Sequence, residues 1–170
     1  MKFYRLVADP LATTRWHLRA PVDMSGEEVD PRLFTAGLVT KPTSQLRIPL
    51  RRAGDEVDFN FGDFDMVVSP AVINAELETL TGASIERIPV WVQASERNYE
   101  ILNILKFVRC IDEATSEFTK WTTEDGRPDK TGVYRMFTRL QIQQEAANGN
   151  HLFRIAEWPI ALIASAQAKA

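Results

Sequence analysis

One cysteine, Cys110, and two histidines, His17 and His151, are all the soft ligands and nucleophile–base partners that this 170-residue chain contains. A lone thiol excludes an internal disulfide and fits a reducing compartment. No C-x-x-C, H-x-H or H-E-x-x-H spacing occurs, so no zinc site and no cofactor is expected. The eight glycines look like turn residues, and neither G-x-G-x-x-G nor a Walker loop is present to cradle a phosphate. No apolar run reaches the roughly 18 residues needed to cross a bilayer, and the N-terminal M-K-F-Y-R-L-V-A-D-P is too weakly apolar for a secretory signal. A cytoplasmic protein without a membrane partner is therefore expected. A net charge of −3 is too mild, and of the wrong sign, to suggest direct nucleic-acid binding.

What the chain does have is an ordinary globular composition, 45% hydrophobic and 25% charged. Its length suits one domain, residues 1–170, with no linker, repeat or low-complexity stretch to divide it. The organising segment is Y-E-I-L-N-I-L-K-F-V-R-C-I-D, residues 99–112. It is apolar on both parities, the pattern of a central strand covered on both faces. Residues 88–92 feed into it as a hairpin. Further strands are expected at residues 2–9, 16–19, 45–51, 57–61, 133–143 and 152–157. Pro49 consigns its strand to an edge, because proline has no N–H for the ladder. Within 133–143, Tyr134, Met136, Leu140 and Ile142 share one parity and Arg135, Arg139 and Gln141 the other. Asp30-Pro31 starts a helical turn, and Asn148-Gly149 reads as a hairpin turn. Ser69-Pro70 opens a helix over 70–81, with Ile73, Leu77 and Leu80 on one face and Gly82 as its C-terminal stop. The tail after Pro159 begins apolar and ends as an alanine-rich helix. Hairpin-joined strands with few helices make an α+β fold with a mainly antiparallel sheet.

No catalytic constellation emerges. Cys110 sits in the central strand as a packing thiol, and the two histidines have no ligand-like companions. The densest cluster is acidic: Asp55, Glu56, Asp58, Asp63 and Asp65 fall within eleven residues that contain no lysine or arginine. Three readings stand side by side: a solvated strand and turn, a divalent-cation site on Asp63 and Asp65 with Glu56, and a negative face for a basic protein partner. In the third, an exposed phenylalanine such as Phe64 supplies the apolar anchor, while Phe59 and Phe61 pack inward.

Several landmarks in order resemble one family. They are Trp16-His17-Leu18 with Pro21-Val22-Asp23; F-N-F-G-D-F-D-M-V-V-S at 59–69; Leu102-Asn103; and Cys110-Ile111-Asp112-Glu113-Ala114 with Ser116-Glu117. Trp121 with D-G-R-P-D-K at 125–130, Tyr134-Arg135 and L-F-R-I-A-E-W-P-I-A-L-I-A-S at 152–165 complete the set. Together they are similar to immunity proteins of bacterial polymorphic-toxin systems, the myxobacterial-type family formerly known as a domain of unknown function. The resemblance implies a non-enzymatic antidote that binds a cognate toxin or effector protein from the same cell in interbacterial competition. The expected partner-binding residues are then Asp55, Glu56, Asp58, Asp63, Phe64 and Asp65. A toxin met in the cytoplasm would act on nucleic acids, nucleotides or cytosolic proteins, a nuclease first. Members of that family run on past the last helix, whereas this chain stops at Ala170; if the further segment helps form the binding face, the partner surface here differs or is smaller, and otherwise solvent caps the helix with no consequence. The other readings are a metal-dependent hydrolase on the Asp63/Asp65 cluster and a non-catalytic scaffold; self-association stays open under each.

Overall fold

Residues 99–112 do not form one strand. In the computed structural model, which describes residues 1–169, they split into Tyr99–Ile104 and Phe107–Val108, which belong to different sheets. The Leu105 N–H turns aside to the carbonyl of Ser84, and Lys106 is exposed. This break is where the chain passes between two compact units, Leu6–Lys106 and a second one made of Met1–Arg5 with the chain from Phe107 onward.

Among the described residues the strands run, in order, β1 (Phe3–Leu6), β2 (His17–Leu18), β3 (Leu46–Ile48), β4 (Leu50–Arg52), β5 (Asn60–Phe61), β6 (Val67–Pro70), β7 (Ile85–Val92) and β8 (Tyr99–Ile104). They continue as β9 (Phe107–Val108), β10 (Glu117–Lys120), β11 (Tyr134–Arg139), β12 (Leu152–Ile155) and β13 (Trp158–Ser165). The helices are α1 (Ala71–Thr81), α2 (Gln144–Ala147) and α3 (Ala166–Lys169). The architecture is α+β with mainly antiparallel pairing, one clear helix and a short C-terminal one. None of the described helices is long and apolar enough to cross a membrane.

The Leu6–Lys106 unit is built on a five-stranded sheet ordered β3-β7-β8-β6-β5, with β2 and β4 paired beside it. Every residue of β8 is buried, and β7 joins it through the expected hairpin, from Ile85 opposite Ile104 to Val90 opposite Tyr99. Leu46, Ile48, Ile88, Val90, Ile101 and Met66 pack on one face with Trp16 and Phe34. Helix α1 lies against β6, β7 and β8, and it begins one residue later than the pattern predicts. Ser69 does not cap it: Ser69 and Pro70 still belong to β6, and the Ser69 hydroxyl donates to the Asn74 side chain instead. Gly82 ends the helix at φ +56, a conformation a side chain would strain. Pro49 divides the strand expected over 45–51. β3 stays at the edge of the large sheet, in parallel register with β7, while β4 turns away to β2. Asp30 accepts from the Arg32 N–H and starts the expected turn, Pro31–Phe34.

The other unit has a four-stranded sheet, β1-β13-β12-β9, and the pair β10-β11. Its core gathers Val108, Cys110, Phe137, Phe153, Ile155, Trp158 and Ile163. Two sequence expectations fail here. Tyr134, Leu140 and Ile142 pack against this core on the expected parity, but the bulged β10-β11 ladder leaves Met136 51% exposed and buries Phe137 of the opposite parity at 8% exposure. Asn148-Gly149 follows α2 rather than closing a hairpin. The hairpin in this region is β12 to β13, turning at Ala156-Glu157, and the tail from Trp158 is a strand before it becomes helical.

Candidate partner-binding site

The acidic segment is not a regular half-buried strand. Asn60 and Phe61 form its one strand, paired with β6, Asp55 makes an isolated bridge with Arg15, and Asn60 rather than Phe59 is the fully buried residue. Phe59 and Phe61 are part-buried, edge to face, with ring centroids 5.7 Å apart. Asp55 is held through its backbone: its N–H donates to the Thr14 carbonyl, and its carbonyl accepts from the Trp16 N–H. Gly54 lets the two segments approach, since a Cβ there would stand 2.2 Å from the Thr14 oxygen.

Glu56 and Asp58 come together on one cation. Arg97 pairs with Asp58 at 2.7 Å and reaches Glu56 at 3.8 Å, and the Asp58 hydrogen bond biases the guanidinium further toward its charged form. Glu56 also accepts from the Tyr99 hydroxyl, whose pKa burial and then the Glu56 charge push up to about 12. Asp63 is engaged separately. Both its oxygens lie 2.8 Å from Arg51 Nη2, and one accepts the Ala20 N–H at 3.1 Å. The cluster is thus not a bare negative face, because Glu56, Asp58 and Asp63 each hold an arginine. Nor do its carboxylates converge: among the described residues no three His, Cys, Asp or Glu side chains are placed to hold a metal ion.

What stands out is the turn Asp63–Asp65. Phe64 sits at φ 54 and ψ 38, and Asp65 follows at φ 58. Side chains other than glycine rarely adopt this left-handed region, which costs about 1–2 kcal/mol per residue. The turn leaves the Phe64 ring 56% exposed, with the Arg32 guanidinium 4.1 Å from its centroid. Leu33, next to Arg32, is 51% exposed. The result is an apolar knob with a cation stacked on it, flanked by Asp63 and Asp65. Sequence reasoning found Phe64 and missed Arg32, which is 32 positions away and carries no local signal.

The remaining candidates resolve into structure. Cys110 is buried, and burial followed by the Glu157 charge pushes its thiol up to about 11, away from reactivity. His151 bonds to the Ser165 hydroxyl, and Arg135 and Arg139 pair with Asp125 and Glu117. In the 125–130 loop Arg127 holds Asp129. Of the four tryptophans, Trp16 and Trp158 are core, Trp121 stacks with Arg135, and Trp91 is half-exposed. Trp91 lies on the outward parity of β7 beside exposed Pro89. An aromatic at an outward-facing strand position is a signal the sequence itself carries.

Residues 92–170 match the model of the Immunity protein family (Imm11), just under half of the chain. The match takes in β8 and the whole run from β9 to the C-terminus, and leaves the acidic segment outside. No curated protein matches the chain.

Proposed function

We propose that this chain, immunity-protein-like over residues 92–170, binds and neutralises a cognate bacterial toxin and performs no reaction of its own. The family match is the observation that carries this reading. The geometry is in keeping with it: two of the three carboxylates that a hydrolase would need, Glu56 and Asp63, are spent on arginines, Asp63 also on a backbone N–H, and the exposed Phe64 is an anchor of the kind that protein interfaces bury. In this reading Asp55, Glu56, Asp58, Asp63, Phe64 and Asp65 form the toxin-facing surface, Phe64 fills an apolar pocket on the toxin, and the carboxylates set orientation and encounter rate. The toxin acts in the cytoplasm, and a nuclease comes first, because this acid-rich segment, although three of its carboxylates hold arginines, suits the basic groove a nuclease turns to phosphates. Co-expression with a candidate toxin, sought among the genes beside this chain's own, tests the proposal. Growth should be rescued and a stoichiometric complex recovered; killing that proceeds equally with and without this protein would refute it.

A further inference from the structure

Helix α1 leaves part of the five-stranded sheet's outer face open. At that open end Arg47 of β3 stands opposite Trp91 of β7 in the parallel register, while their neighbours Leu46, Ile48, Val90 and Val92 point into the core. Trp91 is 48% exposed, and with Arg47, Val22, Pro49 and Gln93 it lines a surface pocket of about 290 Å³. The Arg47 backbone is satisfied, since it exchanges two hydrogen bonds of 2.8 Å with Val22. Its side chain is not. The Nε is out of contact with solvent and has no hydrogen-bond partner among the described residues, and no carboxylate there pairs with this guanidinium. Arg51, Arg87, Arg97 and Arg135 each hold an acid.

An arginine nitrogen withdrawn from water without an acceptor is destabilising, and such groups are few in folded proteins. The guanidinium fork matches a planar carboxylate, and arginine and tryptophan are the residues on which interfaces most often concentrate their energy. Arg47 is the pocket's only charged lining residue, so one negative charge balances it; a polyanion would also meet the repulsion of a chain with net charge −3.

We propose that the Arg47–Trp91 pocket is a socket for an aspartate or glutamate side chain of a protein partner. The carboxylate pairs with Arg47, and the adjoining partner chain packs on the Trp91 ring. Taking that partner to be the toxin rests on the reading above; the socket itself does not. The test has two arms. In the first, Ac-Gly-Asp-Gly-NH2 is titrated into the intact protein while the Arg47 Nε–H and Trp91 indole N–H resonances are followed. A saturable shift of both, at least tenfold weaker with the Asn peptide, is expected, and the Trp91 shift should be absent in Arg47→Gln. Equal responses to the two peptides, or none at Arg47, would overturn the socket. In the second, Arg47→Gln and Trp91→Ala, each checked for an unchanged circular dichroism spectrum, should each lower toxin affinity at least tenfold. Arg47→Lys should recover little of the loss, because lysine lacks the fork. Full affinity in both variants would overturn the socket. A wild-type protein with no affinity for the toxin would refute the immunity reading, and the peptide arm would then decide the socket.

Discussion

The network beneath α1 makes a quantitative prediction. Arg87 on β7 donates through Nε and Nη2 to the two oxygens of Glu100 on β8, at 2.8 and 3.0 Å. Its Nη1 reaches Glu78 of α1 at 2.8 Å and its Nη2 also reaches the Ala71 carbonyl at 3.2 Å. Asn74 of the same helix donates to Glu100 at 3.1 Å. The side chains of Glu100 and Arg87 are only 9% and 24% exposed, and the hydrogen bonds it donates to Glu100 and then to Glu78 hold Arg87 firmly in its charged form. Arg87→Met would leave the Glu100 carboxylate buried with Asn74 as its remaining donor. Removing one partner from a buried pair costs about 3–5 kcal/mol, and the part-exposure of Arg87 places the expected loss at the lower end, about 3 kcal/mol. Glu100→Gln keeps the shape and leaves Arg87 its bond to Glu78, so about 1–2 kcal/mol is expected. In the double variant neither charge is stranded, and the coupling should reach about 1.5 kcal/mol. Urea unfolding of the four proteins supplies the cycle, and hydrogen exchange in α1 shows whether the helix loosens first. A single-variant loss below about 0.5 kcal/mol, or strict additivity, would mean that this network does not hold the helix to the sheet.

Three further outcomes follow from other sites. Glu86 accepts from the N–H groups of Thr40 and Lys41 and from the Asn103 amide; burial alone would raise its pKa, but these donors outweigh burial and hold it below 4.5. Its folded pKa therefore lies under its unfolded one, so its stabilisation is complete above the unfolded value and is lost as pH falls through the folded value. Thr40 and Lys41 amide exchange should show this acid loosening, and Glu86→Gln should abolish its pH dependence. Gly54→Ala drives a Cβ against the Thr14 carbonyl and the Arg15 backbone; a loss of about 1–3 kcal/mol in urea unfolding is expected, and an unchanged midpoint would contradict the close approach. Phe64→Gly relieves the left-handed strain and should keep or raise stability, while lowering toxin affinity by at least about tenfold. Unchanged affinity would remove Phe64 as the anchor.

Elements set by near neighbours were legible in the sequence. The turn at Pro31, the helix ending at Gly82 and the β7-β8 hairpin each depend on residues within a few positions, and each lies close to where the pattern puts it. The acids of 55–65 and the exposed ring of Phe64 were likewise visible by composition. Their partners were not, because Arg97 and Arg32 reach them only after distant segments have packed.

Sequence alone determined the α+β character, the burial of β8 on both faces and the resemblance to immunity proteins, because hydrophobic pattern and ordered landmarks are properties of the chain itself. Tertiary structure decided where residues 99–112 break, that Phe137 rather than Met136 is buried in β11, and that most of the acids are neutralised. It also set Arg47 beside Trp91, 44 positions apart, through a parallel pairing that no local pattern encodes. The physical reason is common to all four: apolar runs and charges specify what a segment needs to bury or pair, while the choice among equivalent partners is made only when the strands find their register.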